Sequence, residues 1–343
     1  MNPVSWRVLL VLLAAFAAAP GPCRGEPGDF VYARPGVLLP AGSTRLNFLC
    51  MGSGSPTVVF DAGYSDWSPA WVKVQPKVAQ WTRACAYDRA GSGFSDAAGH
   101  GPRTSTRIAD ELHLALRNGG IPGPYILVGS AYGGDNVRTF AQRYKADTAG
   151  LVLVDADATD LEPQALQEAD HRGHRDIPTF FRACRDAVEA GRSLEVSAPA
   201  GEPPQRCDVN FFRGLPEETW SRELNDKVLE LARTKAAMYD ALASEMEEVE
   251  GDEAWLLKHE KPLGSRPIRV LTSGHHGGGP AGGTKTPQGR KYQEEVSKAQ
   301  GLWLRLSTDS KQVFAQDSSE YIQLDQPAVV VQAIRDVYDA VRR

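Results

Sequence analysis

The stretch YILVGSAYGG, Tyr125 to Gly134, decides how the chain is read. An apolar, β-branched run enters a turn bracketed by Gly129 and Gly133, and a helical pattern follows it. A strand that turns this sharply into a helix strains the backbone at its tip and needs glycines where side chains would collide. Such a turn holds one side chain out over a cleft. The tip here is Ala131, which carries no atom able to attack a substrate.

Outward from that turn, short apolar runs recur and close on Gly, Asp or Ser: PTVVFDAG from Pro56, ACAYDRAG from Ala84, GLVLVDA from Gly150, PIRVLTSG from Pro267 and QVFAQDS from Gln312. Helical patterns such as STRIADELHLALRNGG and NVRTFAQRYKAD alternate with them. This alternation predicts an α/β fold with a mostly parallel, doubly wound sheet covered on both faces. Right-handed crossovers bring the loops at the strand C-terminal ends to one edge, where sites in such sheets are built. Between about 160 and 263 the strand signal stops. That charged, helix-forming segment predicts a helical cap inserted after the strand ending at Asp155. The Gly-rich run from Ser273 to Gly289 predicts a loop over the strand edge.

The matching segments, in order, resemble the α/β-hydrolase superfamily across nearly the whole chain from residue 26. VVFDAGYSDWSPAW is similar to the family's oxyanion loop, YDRAGSGFSD to its Asp-x-Arg-Gly-x-Gly-x-Ser loop, and LVGSAYGG to its nucleophile elbow. LVLVDAD is similar to the strand before the cap, and SSEYIQLDQP to the segment that carries the catalytic histidine. The resemblance implies backbone oxyanion donors at Tyr132 and Tyr64, which the loss of a serine would spare. It places Ala131 at the nucleophile position and Glu320 at the histidine position. For the acid it points to Asp155, Asp157 or Asp160, with Asp155 at the strand end taken first. A glutamate near its ordinary pKa of ~4.3 is a poor base for an alcohol at neutral pH. Two carboxylates, Asp155 and Glu320, would then face each other without an imidazole between them.

Other residues are weighed against this frame. Ser130 sits one position before the tip, where the turn aims it away from the cleft. His275 and His276 end the strand IRVLTSG; they read as residues of a solvated Gly-rich loop, with an inverted pairing to Glu320 as the alternative. His171 and His174 lie at helical spacing without a third ligand, so no metal is expected. His113 reads as a packed or half-exposed helical residue. Asp88 and Arg89 read as a structural pair. Trp67, Phe180 and Phe181 are candidate lining of a pocket beneath the cap, with Trp71 and Tyr132 beside them.

Composition bounds the rest. A formal net charge of -5, with acids and bases mixed, offers no basic stripe for nucleic acid. Residues 1–25 open with one Arg, Arg7, before an apolar run from about Val8 to Ala19 and then small residues, the layout of a secretory signal and too short for a membrane span. Pro22 before Cys23 speaks against a lipid anchor there. Export makes disulfides the default for Cys50, Cys85, Cys184 and Cys207, with Cys184 and Cys207 clipping a loop in the cap. No dinucleotide fingerprint is present, so no cofactor is expected. The sequence therefore predicts an exported relative of serine esterases that binds a small organic ligand without turning it over. Two alternatives stand: an ester hydrolase whose serine at 131 has been replaced by alanine, and a lyase or cyclase using Tyr132, Glu320 or Asp155 as acid and base.

Overall fold

The computed structural model describes residues 28–158, 175–197, 204–212, 214–276 and 283–343. The leader, Cys23, Asp160, His171, His174 and residues 277–282 of the Gly-rich run lie outside these residues. Ten strands are present among the described residues: β1 (Val37–Ala41), β2 (Thr44–Met51), β3 (Val58–Asp61), β4 (Ala84–Tyr87), β5 (Tyr125–Ser130), β6 (Thr148–Val154), β7 (Glu195–Val196), β8 (Gln205–Arg206), β9 (Ile268–His275) and β10 (Ser310–Ser319). Eight of them form one sheet in the order β1-β2-β4-β3-β5-β6-β9-β10. The β1–β2 and β2–β4 pairs are antiparallel and the others parallel, the α/β-hydrolase arrangement.

The central strands β3, β4, β5 and β6 are buried at every position, as apolar runs covered on both faces must be. The two faces make separate cores. One gathers Phe60, Trp71, Val128, Val154 and Ile334. The other gathers Phe48, Leu127, Phe140, Leu153 and Trp303. The register fixes what meets at the sheet's edge: Ser130 lies beside Val154, Val154 beside Leu271, and Ser319 beside His275. The ends of β5, β6, β9 and β10 are therefore neighbours in space, although their residues span nearly 200 positions of sequence.

Between β6 and β9 the described residues form helices α4 (Ile177–Glu189), α5 (Arg222–Thr234) and α6 (Ala236–His259), plus the short β7–β8 hairpin. Two disulfides are present. Cys50–Cys85 joins directly paired residues of β2 and β4, and Cys184–Cys207 ties α4 to the segment after the hairpin. Disulfides persist in oxidising compartments. No described helix is long and apolar enough to cross a membrane.

Asp88 and Arg89 do not pair with each other. Asp88 accepts the Ser68 and Phe94 N–H groups and the Asn47 amide, so it fastens its own loop. Arg89 turns the other way, to Asp61 at 2.8 Å, to Glu245 of α6 at 3.2 Å and to the carbonyls of Ala62 and Gly63. A buried guanidinium needs more acceptors than one carboxylate provides. Arg89 finds them in the oxyanion loop and the cap, and thereby joins the two.

Candidate functional site

The elbow is built as its glycines require. Ala131 caps helix α3 (Tyr132–Arg143) with φ 44° and ψ -125°, a conformation unfavourable for any residue with a Cβ. A Cβ on Gly133 would stand 2.6 Å from the carbonyls of Asp61 and Ala62, one on Gly129 would strike the Gly133 carbonyl, and one on Gly134 would strike Ala156. Tyr132 is the first residue of the helix, where backbone N–H groups have no intrahelical acceptor. Ser130 is 2% exposed, which seals its hydroxyl from solvent.

Asp155 follows β6 directly, also at positive φ, and is fully buried. Its carboxylate accepts the Ser273 N–H at 3.0 Å, the Ser273 hydroxyl at 2.8 Å and the Gln300 amide at 3.1 Å. Nδ1 of His276 lies 2.7 Å from its other face. Burial would raise the Asp155 pKa, but the His276 charge and the Ser273 donors outweigh it and hold the carboxyl below its ordinary value. For His276 burial favours the neutral ring, yet Asp155, Asp157 and Glu320 together push its pKa up to about 10. These carboxylates favour the protonated ring.

This corrects two expectations. His276 is not a residue of a solvated loop: its side chain is 11% exposed, and its N–H is held by the Gln293 side chain at 2.7 Å. Asp155 accordingly does not meet Glu320 without an imidazole, because His276 occupies its open face. Its neighbour His275 points to Thr284 on the exposed side. Glu320 is half-buried in the turn after β10 and acts electrostatically on both His276 and Asp66. Asp157 sits beside the elbow, its N–H 3.4 Å from the Ala131 carbonyl.

Tyr64 lies in the loop after β3, its ring edge-on to Tyr132 and to Phe181, and its hydroxyl donates to the Leu242 carbonyl of α6. A cavity of about 580 Å³ opens beside it, lined by Tyr64, Ile177, Phe180, Phe181, Val209 and Phe212. Trp67 does not line that space. It is 1% exposed and packs against Phe211 and Phe212, so it forms part of the wall's support rather than its surface. A second groove of about 670 Å³, between Arg34, Phe94 and the charged face of α5, contains none of the elbow residues.

The sequence passed over Asp66, Ser273 and Gln300. Asp66 lies within the loop after β3, 3% exposed, with Oδ2 3.4 Å from the position a Cβ on Gly63 would take. Ala131 Cβ stands 3.5 Å from the same point. The only signal was an acid inside GYSDW, indistinguishable in sequence from a surface turn residue.

Residues 56–226 match the family model of the alpha/beta hydrolase fold. The chain is 25% identical to the uncharacterized protein YqjL of Bacillus subtilis over 289 residues, 84% of this chain and 86% of that one. It is 34% identical over 137 residues to a protein of Hormonema carpetanum named "Probable transporter efuK", of whose length it spans 20%. Among solved structures it is similar to an esterase from Thermogutta terrifontis, with TM-score 0.57 and 19% identity over 90% of this chain and 100% of that one. It is similar also to the epoxide hydrolase CorEH, with TM-score 0.58 and 14% identity over 89% and 98% of the two chains. Sheet order, elbow and family match agree: the chain belongs to the α/β-hydrolase superfamily.

Proposed function

We propose that the protein is exported, holds a small organic molecule between its cap helices and the elbow, and does not perform serine-ester turnover. One observation carries this: a methyl group occupies the strained tip where the fold aims its nucleophile, while the backbone around it keeps its shape. Losing the nucleophile alone lowers turnover on the order of 10⁶-fold. The aromatic cavity beside Tyr64 suits an apolar ligand, and the two disulfides suit an oxidising compartment.

A second reading has a specific observation in its favour. An imidazole–carboxylate dyad, His276 with Asp155, stands at the same strand edge, so a serine at 131 would find a histidine nearby. Against it, Asp155, Asp157 and Glu320 raise the pKa of that histidine and favour its protonated form. It is a poor proton acceptor until the solution is strongly basic. The cluster of Asp155, Asp157 and Glu320 around one imidazole leaves acid–base chemistry of a lyase or cyclase as the third reading.

The test is labelling with a fluorophosphonate probe together with turnover of p-nitrophenyl butyrate by Ala131→Ser. The chain is expected to take no label, and Ala131→Ser to stay near background at pH 7. Stoichiometric labelling at Ser130, or robust turnover by the single variant at pH 7, would reject the proposal.

A further inference from the structure

Asp66 is a buried carboxyl directed at the reacting position and unused by any hydrolase mechanism described above. Its Oδ2 and the Ala131 methyl flank the same point above Gly63, so the two groups face one small volume. Its Oδ1 has no hydrogen-bond partner among the described residues. The carboxyl also meets the backbone of Phe212, a residue that lines the 580 Å³ cavity. Asp66 is thus one residue removed from the lining of that cavity and borders the elbow through Ala131.

We infer that Asp66 is a ligand-binding proton donor of this site, offering its carboxyl O–H to the carbonyl or ether oxygen of an uncharged ligand lying over Ala131. The inference rests on the ligand-binding role proposed above and specifies its ligand class. Electrostatics exclude the charged counterpart. Asp155, Asp157 and Glu320 crowd one strand edge around His276, Glu320 also acts on Asp66, and the nearby guanidinium is already shared by Asp61 and Glu245. A carboxylate ligand would add a further negative charge to that edge, whereas a neutral ester supplies an acceptor without one.

The donor must hold a proton to donate it. Burial raises the Asp66 pKa to about 8, the pull of Arg89 and the Phe212 backbone opposes the rise, and Glu320 adds to it. The charged or titratable groups around it are Arg89 with its partners Asp61 and Glu245, Asp88 beneath Ser68, Tyr64 on the same loop, and Glu320 with His276 beyond. A carboxyl whose folded pKa is raised stays protonated up to that value. As pH rises through about 8, the O–H is lost and a repelling charge replaces it.

The experiment is calorimetric titration of the whole chain with phenyl butyrate, a neutral ester, and with the 4-phenylbutyrate anion, at pH 6.5 and 9.5. Phenyl butyrate is expected to bind at pH 6.5 and to lose at least about tenfold in affinity at pH 9.5, with the anion weaker throughout. Asp66→Asn, nearly the same shape and unable to ionise, should bind the ester with little pH dependence, and Asp66→Ala should bind it weakly at both. An infrared difference between the wild type and Asp66→Asn at pH 6.5 should show one protonated-carboxyl band, an observation that needs no ligand. Ester binding that is independent of pH, a wild-type pH profile in Asp66→Asn, or absence of that band would overturn the inference while leaving the ligand-binding role standing. Failure of phenyl butyrate to bind at any pH would overturn both.

Discussion

Nδ1 of His276 lies 2.7 Å from Oδ2 of Asp155, although the two residues are 121 positions apart in the chain. They meet because β6 and β9 are adjacent and parallel, with Val154 in register with Leu271, so that both residues leave the same edge of the sheet. The contact sets the charge state of the whole edge, since it keeps one imidazolium among several carboxyls.

The pair makes stability depend on pH in a defined direction. The folded pKa of His276 is raised, so its contribution is full below the unfolded value near ~6.5 and is lost as pH rises through about 10. The folded pKa of Asp155 is lowered, so its contribution is full above ~3.9 and is lost as pH falls through its folded value. His276→Ala should cost about 3 kcal/mol at pH 5.5, because it leaves a buried carboxylate without its cation. The cost should shrink markedly at pH 10.5. Urea unfolding at the two pH values checks this, and an equal cost at both would contradict it.

The nucleophile and the histidine position should act together. Ala131→Ser combined with Glu320→His is expected to hydrolyse p-nitrophenyl butyrate at least about tenfold faster than Ala131→Ser alone, a difference of roughly 1.4 kcal/mol in barrier. The two changes should be strongly non-additive, because a serine without a free imidazole performs about as poorly as none. Rates for the single variant that climb steeply toward pH 10 would instead identify His276 as its base.

The Cys184–Cys207 bond closes a loop of 23 residues in sequence separation. Phe180 and Phe181 precede Cys184 by one helical turn, and Phe212 follows Cys207 closely, so the bond also joins two walls of the cavity. Replacing both cysteines by serine should lower stability by about 3 kcal/mol and weaken phenyl butyrate binding. Thermal unfolding and calorimetry report the two effects, and unchanged values in both would show that the cap holds its shape without the bond.

Arg89 anchors the loop after β3 to the cap through Asp61, Glu245 and two loop carbonyls, with side-chain exposures of 2% for Arg89, 1% for Asp61 and 0% for Glu245. Arg89→Met should cost about 3 to 5 kcal/mol, because it strands two buried carboxyls. Glu245→Gln should cost clearly less, since the Arg89–Asp61 pair and the carbonyl contacts remain. Denaturant unfolding of the two variants decides the order, and an equal loss would show that the cap contact, not the buried pair, dominates.

The antiparallel β1–β2 pair and the short β7–β8 hairpin were not legible in the sequence, whereas strands β3, β4, β5, β6, β9 and β10, the elbow and the helical interruption between β6 and β9 were. Each of these is written locally, as an apolar run, as glycines at fixed spacing, or as a change from period two to helical period. Ala131 at the tip was legible for the same reason, because the turn chemistry of Gly129, Gly133 and Gly134 leaves one position exposed. Cysteine count and the leader pattern pointed to disulfides, and the Cys184 to Cys207 pairing was readable from their common place in the cap.

Which groups share the site follows from strand order and burial, neither of which is written locally. Asp155 and Glu320 were placed by resemblance at separate strand ends, but the choice of His276 as the partner of Asp155 depends on strand order and on Ser273 and Gln300 fixing the carboxylate. A histidine in a Gly-rich run carries no local mark of burial. The same holds for Trp67, whose ring faces Phe211 and Phe212 and leaves the lining to Tyr64 and Phe181. It holds most of all for Asp66: its raised pKa comes from desolvation beneath the cap and from Glu320, contributed by segments distant in the chain. Periodicity and turn chemistry are properties of neighbours in sequence, whereas burial and charge are properties of neighbours in space.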